Sequence, residues 1–298
     1  MQSFLDLLTV SRAKIQMVSL ASALLGPSMA ASTFSDLLNT NVLLFMALFY
    51  ITVTFSCNIN CYYDRDVDRL YKKELYFATK RLGKRLEYIM AMEVVLGIAI
   101  SIMLIISGKW LAGSLGLLGM FLAYAYSAPP LRVKAKGALS PIPVMVGIYI
   151  LPIIAGYSVI SMDFNPPFWL FLAGYFFLNL GINLVNAAED IDVDSKMGIE
   201  TLAVKLGARS TLKIAAISQA FGLLAPISMF IYLNDKCLIV LVFFVLALLK
   251  AFQTFHEILR ISRSEDPLKA AKEGGKKVPV WFVSTRYPLL LMAIFALL

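Results

Sequence analysis

Long apolar blocks are the feature of this sequence that most constrains its fold. Most are about 20 residues long, the length that a helix needs to cross a hydrocarbon core roughly 30 Å thick. Nine can be drawn, at residues 13–32, 41–63, 86–107, 109–127, 140–161, 166–188, 211–233, 236–255 and 280–298. Because backbone groups in lipid must be satisfied within the protein, such blocks predict helices. We expect an all-α polytopic membrane protein with nine transmembrane helices in a bundle.

Composition agrees with a membrane protein. Of the 298 residues, 59% are hydrophobic and only 15% are charged, whereas soluble domains carry about 25% charged residues. We expect one integral-membrane domain over residues 1–298. A cleavable signal peptide is not expected, since Asp6 interrupts the first apolar stretch and no basic region precedes it. The three cysteines lack a CxxC spacing, so we expect no metal or redox site in them.

Basic residues are distributed very unevenly over the connections between the blocks. Of the 27 Lys and Arg, 23 fall on connections or block ends that would lie on one side of the membrane, and only Lys109 and Lys236 fall at block ends on the other. By the positive-inside rule the basic side is cytoplasmic, which predicts a cell-membrane protein with its N-terminus inside and its C-terminus outside. This bias and anionic lipid headgroups account for the net charge of +8, so no nucleic-acid partner is expected.

The candidate functional residues lie in an internal repeat of acidic motifs. The second block ends in the pattern N-x-x-x-D-x-D-x-D at residues 60–68, and the sixth block ends in the same pattern at residues 186–194. The two runs lie 126 positions apart, at corresponding places in pseudo-repeat halves of about 1–135 and 136–298. Chance would rarely produce such a match, whereas a single acidic run could simply be a solvated helix end.

The spacing of the repeat gives it a physical meaning. Positions four apart stack on one helix face, so the predicted ladders are Asn60, Asp64 and Asp68 in one half and Asn186, Asp190 and Asp194 in the other. Two facing acidic ladders need cations between them, and oxygen ligands of this kind suit Mg²⁺ ions shared with a diphosphate. A calcium-binding EF-hand is excluded, because neither run has Gly at its sixth position or Glu at its twelfth.

A basic loop after the fourth block supplies groups for an anion. Pro129 and Pro130 stop the helix and predict an extended turn. Arg132 and Lys134 alternate with apolar residues, so both side chains can point the same way. An Arg fork and a Lys point charge suit a diphosphate, although the positive-inside bias alone could also place them there. Weaker candidates are Lys72, Lys73 and Lys196.

Two other polar residues have no assigned role. His256 is read as an interfacial residue after the eighth block. Arg286 falls within the ninth block, where it needs a partner that the sequence does not name.

These motifs resemble those of the UbiA superfamily of intramembrane prenyltransferases. Residues 60–68 match its N-x-x-x-D-x-x-x-D motif, residues 190–194 its D-x-x-x-D motif, residues 126–134 its Y-S-x-P-P-x-R-x-K segment, and residues 198–202 its G-x-x-T-L tail. The resemblance implies a lateral chamber that admits a prenyl chain from the lipid bilayer, a prenyl diphosphate donor and an acceptor that stays unidentified. It also implies two Mg²⁺ ions bound by Asn60, Asp64, Asp68, Asp190 and Asp194, with Tyr126, Arg132 and Lys134 on the diphosphate.

The chain departs from the family in one loop. Many members follow the first motif with a basic-proline run, whereas residues 70–85 contain no proline. Which basic residue of this loop contacts the diphosphate therefore stays open, as does the subfamily.

The resulting hypothesis is Mg²⁺-dependent transfer of a prenyl group to a lipophilic or aromatic acceptor inside the membrane, with Asp64, Asp68, Asp190 and Asp194 as catalytic residues. An acceptor proton could pass to Asp66, Asp192 or Glu189. Rivals are a transporter with paired carboxylates and an ether-lipid enzyme acting on a glycerol phosphate. A CDP-alcohol phosphotransferase is disfavoured because its D-G-x-x-A-R signature is absent.

Overall fold

The computed structural model describes residues 2–137, 139–234 and 237–298, so Lys236 lies outside the described part. Its α-helices are α1 Gln2–Val10, α2 Ala13–Ala30, α3 Thr40–Tyr63, α4 Arg65–Tyr71, α5 Lys73–Leu82, α6 Lys84–Ile106, α7 Trp110–Ser127, α8 Ile142–Val144, α9 Leu151–Ile160, α10 Pro166–Glu189, α11 Ile191–Lys196, α12 Leu202–Gly222, α13 Leu224–Leu233, α14 Leu238–Ser262, α15 Pro267–Gly275 and α16 Val278–Phe295. A π-helical turn, Met145–Ile150, joins α8 to α9, and two short strands are β1 Lys136–Gly137 and β2 Glu200–Thr201.

Eight stretches of the described chain are long and apolar enough to cross a membrane. They are α3, α6, α7, α8–α9, α10, α12–α13, α14 and α16. Helix α2, with 18 residues, is also of membrane length. The expected all-α polytopic fold is therefore confirmed, with eight or nine membrane-length helices in the described residues.

Most predicted boundaries agree with these helices to within a few residues. Two blocks differ by more. The seventh block begins at residue 211, whereas α12 begins at Leu202 and continues through a non-helical Gly207 with φ 76° and ψ 162°. The eighth block ends at residue 255, whereas α14 continues to Ser262. Three polar connections that the prediction left without structure contain the helices α4, α5, α11 and α15. These short helices surround the candidate site.

Close helix packing in the second half depends on glycine. A Cβ at Gly222 would lie 2.7 Å from the Cα of Leu178, and one at Gly181 would lie 2.8 Å from the backbone oxygen of Ala215. Small residues of this kind let helix backbones approach closely where lipid gives little hydrophobic drive for association. The seam between α10 and α12 therefore fixes the helix that carries the second acidic run.

The polar connections meet at one end of the bundle. Strands β1 and β2 pair in parallel, with Lys136 opposite Glu200, which joins the connection after α7 to the one after α11. Lys272, on α15, donates to Asp192 at 2.6 Å. The N-terminal helix α1 packs on α5 at the same end. The two acidic runs and the basic loop are thus brought together.

Candidate active site

Both acidic runs cross a break between two helices without losing helical spacing. Asp64 separates α3 from α4 with φ −97° and ψ 7°, yet its N–H donates to the Asn60 carbonyl at 2.9 Å and the Asp68 N–H donates to the Asp64 carbonyl at 2.8 Å. Asp190 separates α10 from α11 with φ −84° and ψ 0°, and the Asp194 N–H donates to its carbonyl at 2.9 Å. The predicted one-turn spacing is present from Asn60 to Asp68 in the first run and from Asp190 to Asp194 in the second.

The two interleaved carboxylates have surroundings different from those of the ladder residues. Asp66 is exposed and lines a separate recess with Arg65 and Lys80. Asp192 is paired with Lys272. Because Asp66 lines a separate recess and Asp192 is paired with Lys272, we regard neither residue as part of the site.

The basic loop reaches the first ladder. Lys134 Nζ forms an ion pair with Asp64 Oδ2, and Arg132 Nη2 lies 3.4 Å from Asp64 Oδ1. The loop is not extended as predicted, since Arg132 has φ 34° and Val133–Ala135 forms a 3₁₀ turn. Both side chains nevertheless reach the same carboxylate, and the Lys134 side chain is buried there.

Arg12 belongs to this cluster and was missed by sequence reasoning. It lies at the break between α1 and α2 with φ 50°, and its Nη2 donates to Asn60 Oδ1 at 3.2 Å. Asn60 Nδ2 in turn donates to Asp64 Oδ2 at 3.0 Å and to Ser127 Oγ at 3.3 Å. The only sequence signal was an Arg just before the first apolar block, 48 residues from its partner.

Lys72 and Arg12 influence the pKa of a carboxyl group in each ladder. Burial raises the pKa of the Asp68 carboxyl, while Lys72 and then Arg12 oppose the rise. Burial likewise raises the pKa of Asp190, again opposed by Lys72 and Arg12. Since the same two cations act on a carboxyl group of each run, both helix ends lie within electrostatic range of Lys72 and Arg12. Lys72 is thus the residue of the 70–85 loop that the structure places near both carboxylates.

The other site carboxyl and the site lysine are also perturbed. Burial, with Asp190 adding to it, raises the pKa of Asp194 to about 6. Burial lowers the pKa of Lys134, and its ion pair with Asp64 opposes that shift. Tyr126 is half-buried and within electrostatic range of Asp64, Asp190 and Asp194.

The donor set fits divalent ions that complete their coordination with substrate oxygens. No three His, Cys, Asp or Glu side chains among the described residues lie close enough to hold an ion by themselves. Asp68, however, is 4% exposed, and its Oδ2 is buried without a hydrogen-bond partner. A buried carboxylate oxygen of this kind is costly unless it is paired. Mg²⁺ characteristically takes one or two protein carboxylates together with substrate phosphates.

Three other polar residues lie apart from this cluster. Lys196 ends α11 with an exposed side chain and makes no ion pair with a described residue. His256 is exposed. Arg286, only 1% exposed, donates to Asn179 Oδ1 from Nε at 2.9 Å and from Nη2 at 2.6 Å, which identifies the partner that the sequence did not name.

A helical membrane bundle with two acidic helix ends near a basic loop defines a class, that of polytopic membrane enzymes. Within that class, this chain belongs to the UbiA prenyltransferase family, whose model matches residues 19–272, and it is a prenyltransferase.

Named relatives and solved structures agree with that membership. The chain is 29% identical to a lycopene elongase/hydratase of Haloferax volcanii, over 74% of this chain and 71% of the relative. It is 31% identical to a lycopene elongase/hydratase of Halobacterium salinarum, over 72% and 75%. A UbiA homolog from Archaeoglobus fulgidus, solved with DMAPP and Mg²⁺, superposes with a TM-score of 0.69 at 19% identity, covering 96% of this chain and 99% of that one. That structure supports the fold.

Proposed function

We propose that this prenyltransferase carries out Mg²⁺-dependent transfer of a prenyl group from a prenyl diphosphate to a lipophilic acceptor within the membrane. A carotenoid-type hydrocarbon is the first candidate acceptor, because the two relatives above are lycopene elongases/hydratases and align over about three quarters of their length. An aromatic acceptor is the second candidate. It is supported by a 2-acylphloroglucinol 4-prenyltransferase of Humulus lupulus at 29% identity, over 52% of this chain and 39% of that one.

The observation that carries the proposal is the sharing of Lys72 and Arg12 between the two acidic helix ends. A transporter would need intramembrane carboxylates near the bilayer midplane. Here the carboxylates follow the ends of α3 and α10, beside basic residues of two connections. That arrangement favours a substrate with a charged phosphate head at the membrane surface and an apolar tail in the bundle.

The basic residues would bind and orient the diphosphate. Lys134 and Arg132 now pair with Asp64, and both can share their N–H donors with phosphate oxygens. Arg12, whose Nε is buried without a hydrogen-bond partner, offers an unused donor beside Asn60. Preorganised donors of this kind stabilise negative charge as it develops on a leaving group.

The predicted metal ligands are Asn60, Asp64 and Asp68 from one run and Asp190 and Asp194 from the other. When bound, two Mg²⁺ ions would supply positive charge to the departing diphosphate. The carbon–oxygen bond to the prenyl group would break, the diphosphate would leave with the electron pair, and the allylic cation would be trapped by the acceptor. The apolar interior of the bundle would exclude the water that could otherwise capture this cation.

Proton loss from the acceptor would complete the transfer. Of the three sequence candidates, Asp66 lines a separate recess and Asp192 is paired with Lys272. Glu189 is half-buried next to Asp190, against Gly275 of α15. Glu189 is therefore the candidate that we retain.

The test is release of diphosphate by the purified enzyme. Labelled DMAPP, GPP and longer prenyl diphosphates would be supplied with Mg²⁺ and lycopene, aromatic acids or glycerol phosphates. We expect turnover that needs Mg²⁺ and is abolished in Asp64→Ala and Asp190→Ala. The matched controls, Asp66→Ala and Asp192→Ala, should retain activity because these carboxylates lie outside the ladders. Near-normal rates in Asp64→Ala and Asp190→Ala would overturn the proposal.

A further inference from the structure

A buried polar pair joins α3 to α6 outside the site described above. Asn58 Nδ2 donates to Glu93 Oε1 at 2.8 Å, and the two residues are 0% and 8% exposed. The other polar atom of each side chain is buried without a hydrogen-bond partner; these atoms are Asn58 Oδ1 and Glu93 Oε2. Glu93 makes no ion pair with any Lys or Arg of the described chain. A carboxyl group thus lies within a membrane helix with one of its oxygens unpaired.

An ionised carboxylate would be costly in this place. Buried unpaired acceptors carry a desolvation penalty, and an isolated buried carboxylate tends to take up a proton instead of keeping its charge. A single proton on Glu93 Oε2 satisfies both unpaired atoms, because the resulting O–H can donate to Asn58 Oδ1. Together with the existing bond, it closes a ring of two hydrogen bonds between an acid and an amide.

We propose that Glu93 is a neutral carboxylic acid that forms two hydrogen bonds with the Asn58 carboxamide and thereby locks α3 against α6. The lock lies on the far side of α3 from the acidic ladder. Asn58 precedes Asn60 by two residues, which is a rotation of about 200° around a helix. Asn60 faces Arg12 and Ser127. A contact that fixes the rotation of α3 from one side therefore sets the direction of Asn60 and Asp64 on the other.

Glu93 is therefore a positioning residue for Asn60 and Asp64. This positioning role rests on the proposed function, but the protonated state of Glu93 does not rest on it. The alternative is an ionised Glu93 that serves as a proton acceptor. Glu93→Gln separates the two, because a Gln carboxamide offers the same donor and acceptor as the neutral acid but has no ionisable group. Glu93→Ala removes both hydrogen bonds. Glu87→Gln is the matched control, since Glu87 bonds Tyr62 on the same helix pair at 3.0 Å but is exposed.

The experiment combines infrared spectroscopy of the purified full chain with thermal unfolding and diphosphate-release assays. We expect the carboxylic-acid C=O band of the wild type to lose intensity in Glu93→Gln and to keep it in Glu87→Gln. Glu93→Gln should keep the wild-type Tm and turnover within about twofold, whereas Glu93→Ala should lower the Tm and reduce turnover about tenfold or more.

An infrared spectrum unchanged by Glu93→Gln would overturn the neutral acid, and so would a Glu93→Gln enzyme that is stable but as inactive as Glu93→Ala. If the wild type showed no diphosphate release at all, the proposed function would fail. The infrared band and the Tm would still decide the state of Glu93.

Discussion

Lys134 lies in an environment unlike that of a surface lysine. Its side chain is 10% exposed and faces the Asp64 carboxylate. Burial lowers the pKa of Lys134 while Asp64 opposes the shift, so the ion pair keeps the ammonium charged where a phosphate would lie. A lysine that only sets the membrane orientation would not need to be buried against a carboxylate, since its presence on the cytoplasmic side is sufficient.

Lys134→Met should therefore reduce kcat/KM for the prenyl diphosphate. A hydrogen bond to a charged group contributes about 1.5–3 kcal/mol, which corresponds to a loss of roughly 10- to 150-fold. Initial rates over a range of donor concentrations measure it. Lys136→Met, two residues along and exposed, is the control and should change little. Equal losses in both variants would refute the assigned role of Lys134.

Asp194 gives the site a defined pH dependence. Its pKa is raised from 3.8 to about 6, mainly by burial and then by Asp190. A carboxyl whose pKa is higher in the folded state binds its proton more tightly there, so the metal-free protein should gain stability as the pH falls from 7 towards 5. Metal binding needs the carboxylate, so turnover should fall as the pH drops below about 6, with a limiting slope of about tenfold per unit.

Thermal unfolding without metal and kcat/KM at a fixed, subsaturating Mg²⁺ concentration measure these opposite trends, since saturating metal would keep the carboxylate ionised. The pKa values of Asp68 and Asp190 are raised like that of Asp194, so these two residues should strengthen both the stability trend and the turnover trend. Asp194→Asn should weaken the stability trend. A metal-free protein that loses stability over the same pH interval would contradict this account of the site.

At the scale of elements, the sequence predicted the parts that follow local rules. Apolar blocks of bilayer length located the spans, and one-turn spacing located both acidic ladders, because each depends on residues close together in the chain. The location of Arg12 depends on the packing of α1 against α5, and that of the basic loop on the pairing of β1 with β2. Contacts between distant segments leave no periodic signal in a single sequence. Arg12 was therefore missed, and Arg132 and Lys134 were predicted as site residues but in an extended loop, where the structure has a 3₁₀ turn.

Helix α1 illustrates how a distant contact serves the site. Arg81 on α5 donates to the Asp6 carboxylate from Nε at 2.9 Å and from Nη2 at 2.6 Å. Two parallel hydrogen bonds fix orientation as well as distance. The clamp holds the middle of α1, and Arg12 follows two residues after the end of that helix.

Asp6→Ala should therefore raise KM for the donor by about two- to fivefold through displacement of Arg12, with a smaller effect on kcat. Steady-state kinetics in detergent micelles would measure both constants. The exchanged pair Asp6→Arg with Arg81→Asp should recover part of the loss, whereas either exchange alone should not. A KM unchanged in Asp6→Ala would show that α1 does not position Arg12.

At the scale of the whole molecule, the bundle places its polar connections at one end, and the charge bias predicts that this end is cytoplasmic. Cysteine accessibility tests the orientation after the native cysteines are replaced by Ser. A Cys at exposed Glu265, between α14 and α15, should react with an impermeant thiol reagent only after the cells are opened. A Cys at exposed Met162, between α9 and α10, should react in intact cells. The reverse pattern would invert the proposed topology.

The central claim is that the two acidic runs together bind two divalent ions and one diphosphate. The most direct test of it is to count the bound ions. Electron paramagnetic resonance of Mn²⁺ bound to the purified protein, with a non-hydrolysable prenyl diphosphate analogue, counts those ions. We predict two tightly bound Mn²⁺ per chain, and one in either Asp64→Asn/Asp68→Asn or Asp190→Asn/Asp194→Asn. Two ions retained in both double variants, or none bound by the wild type, would contradict a diphosphate site shared between the two helix ends.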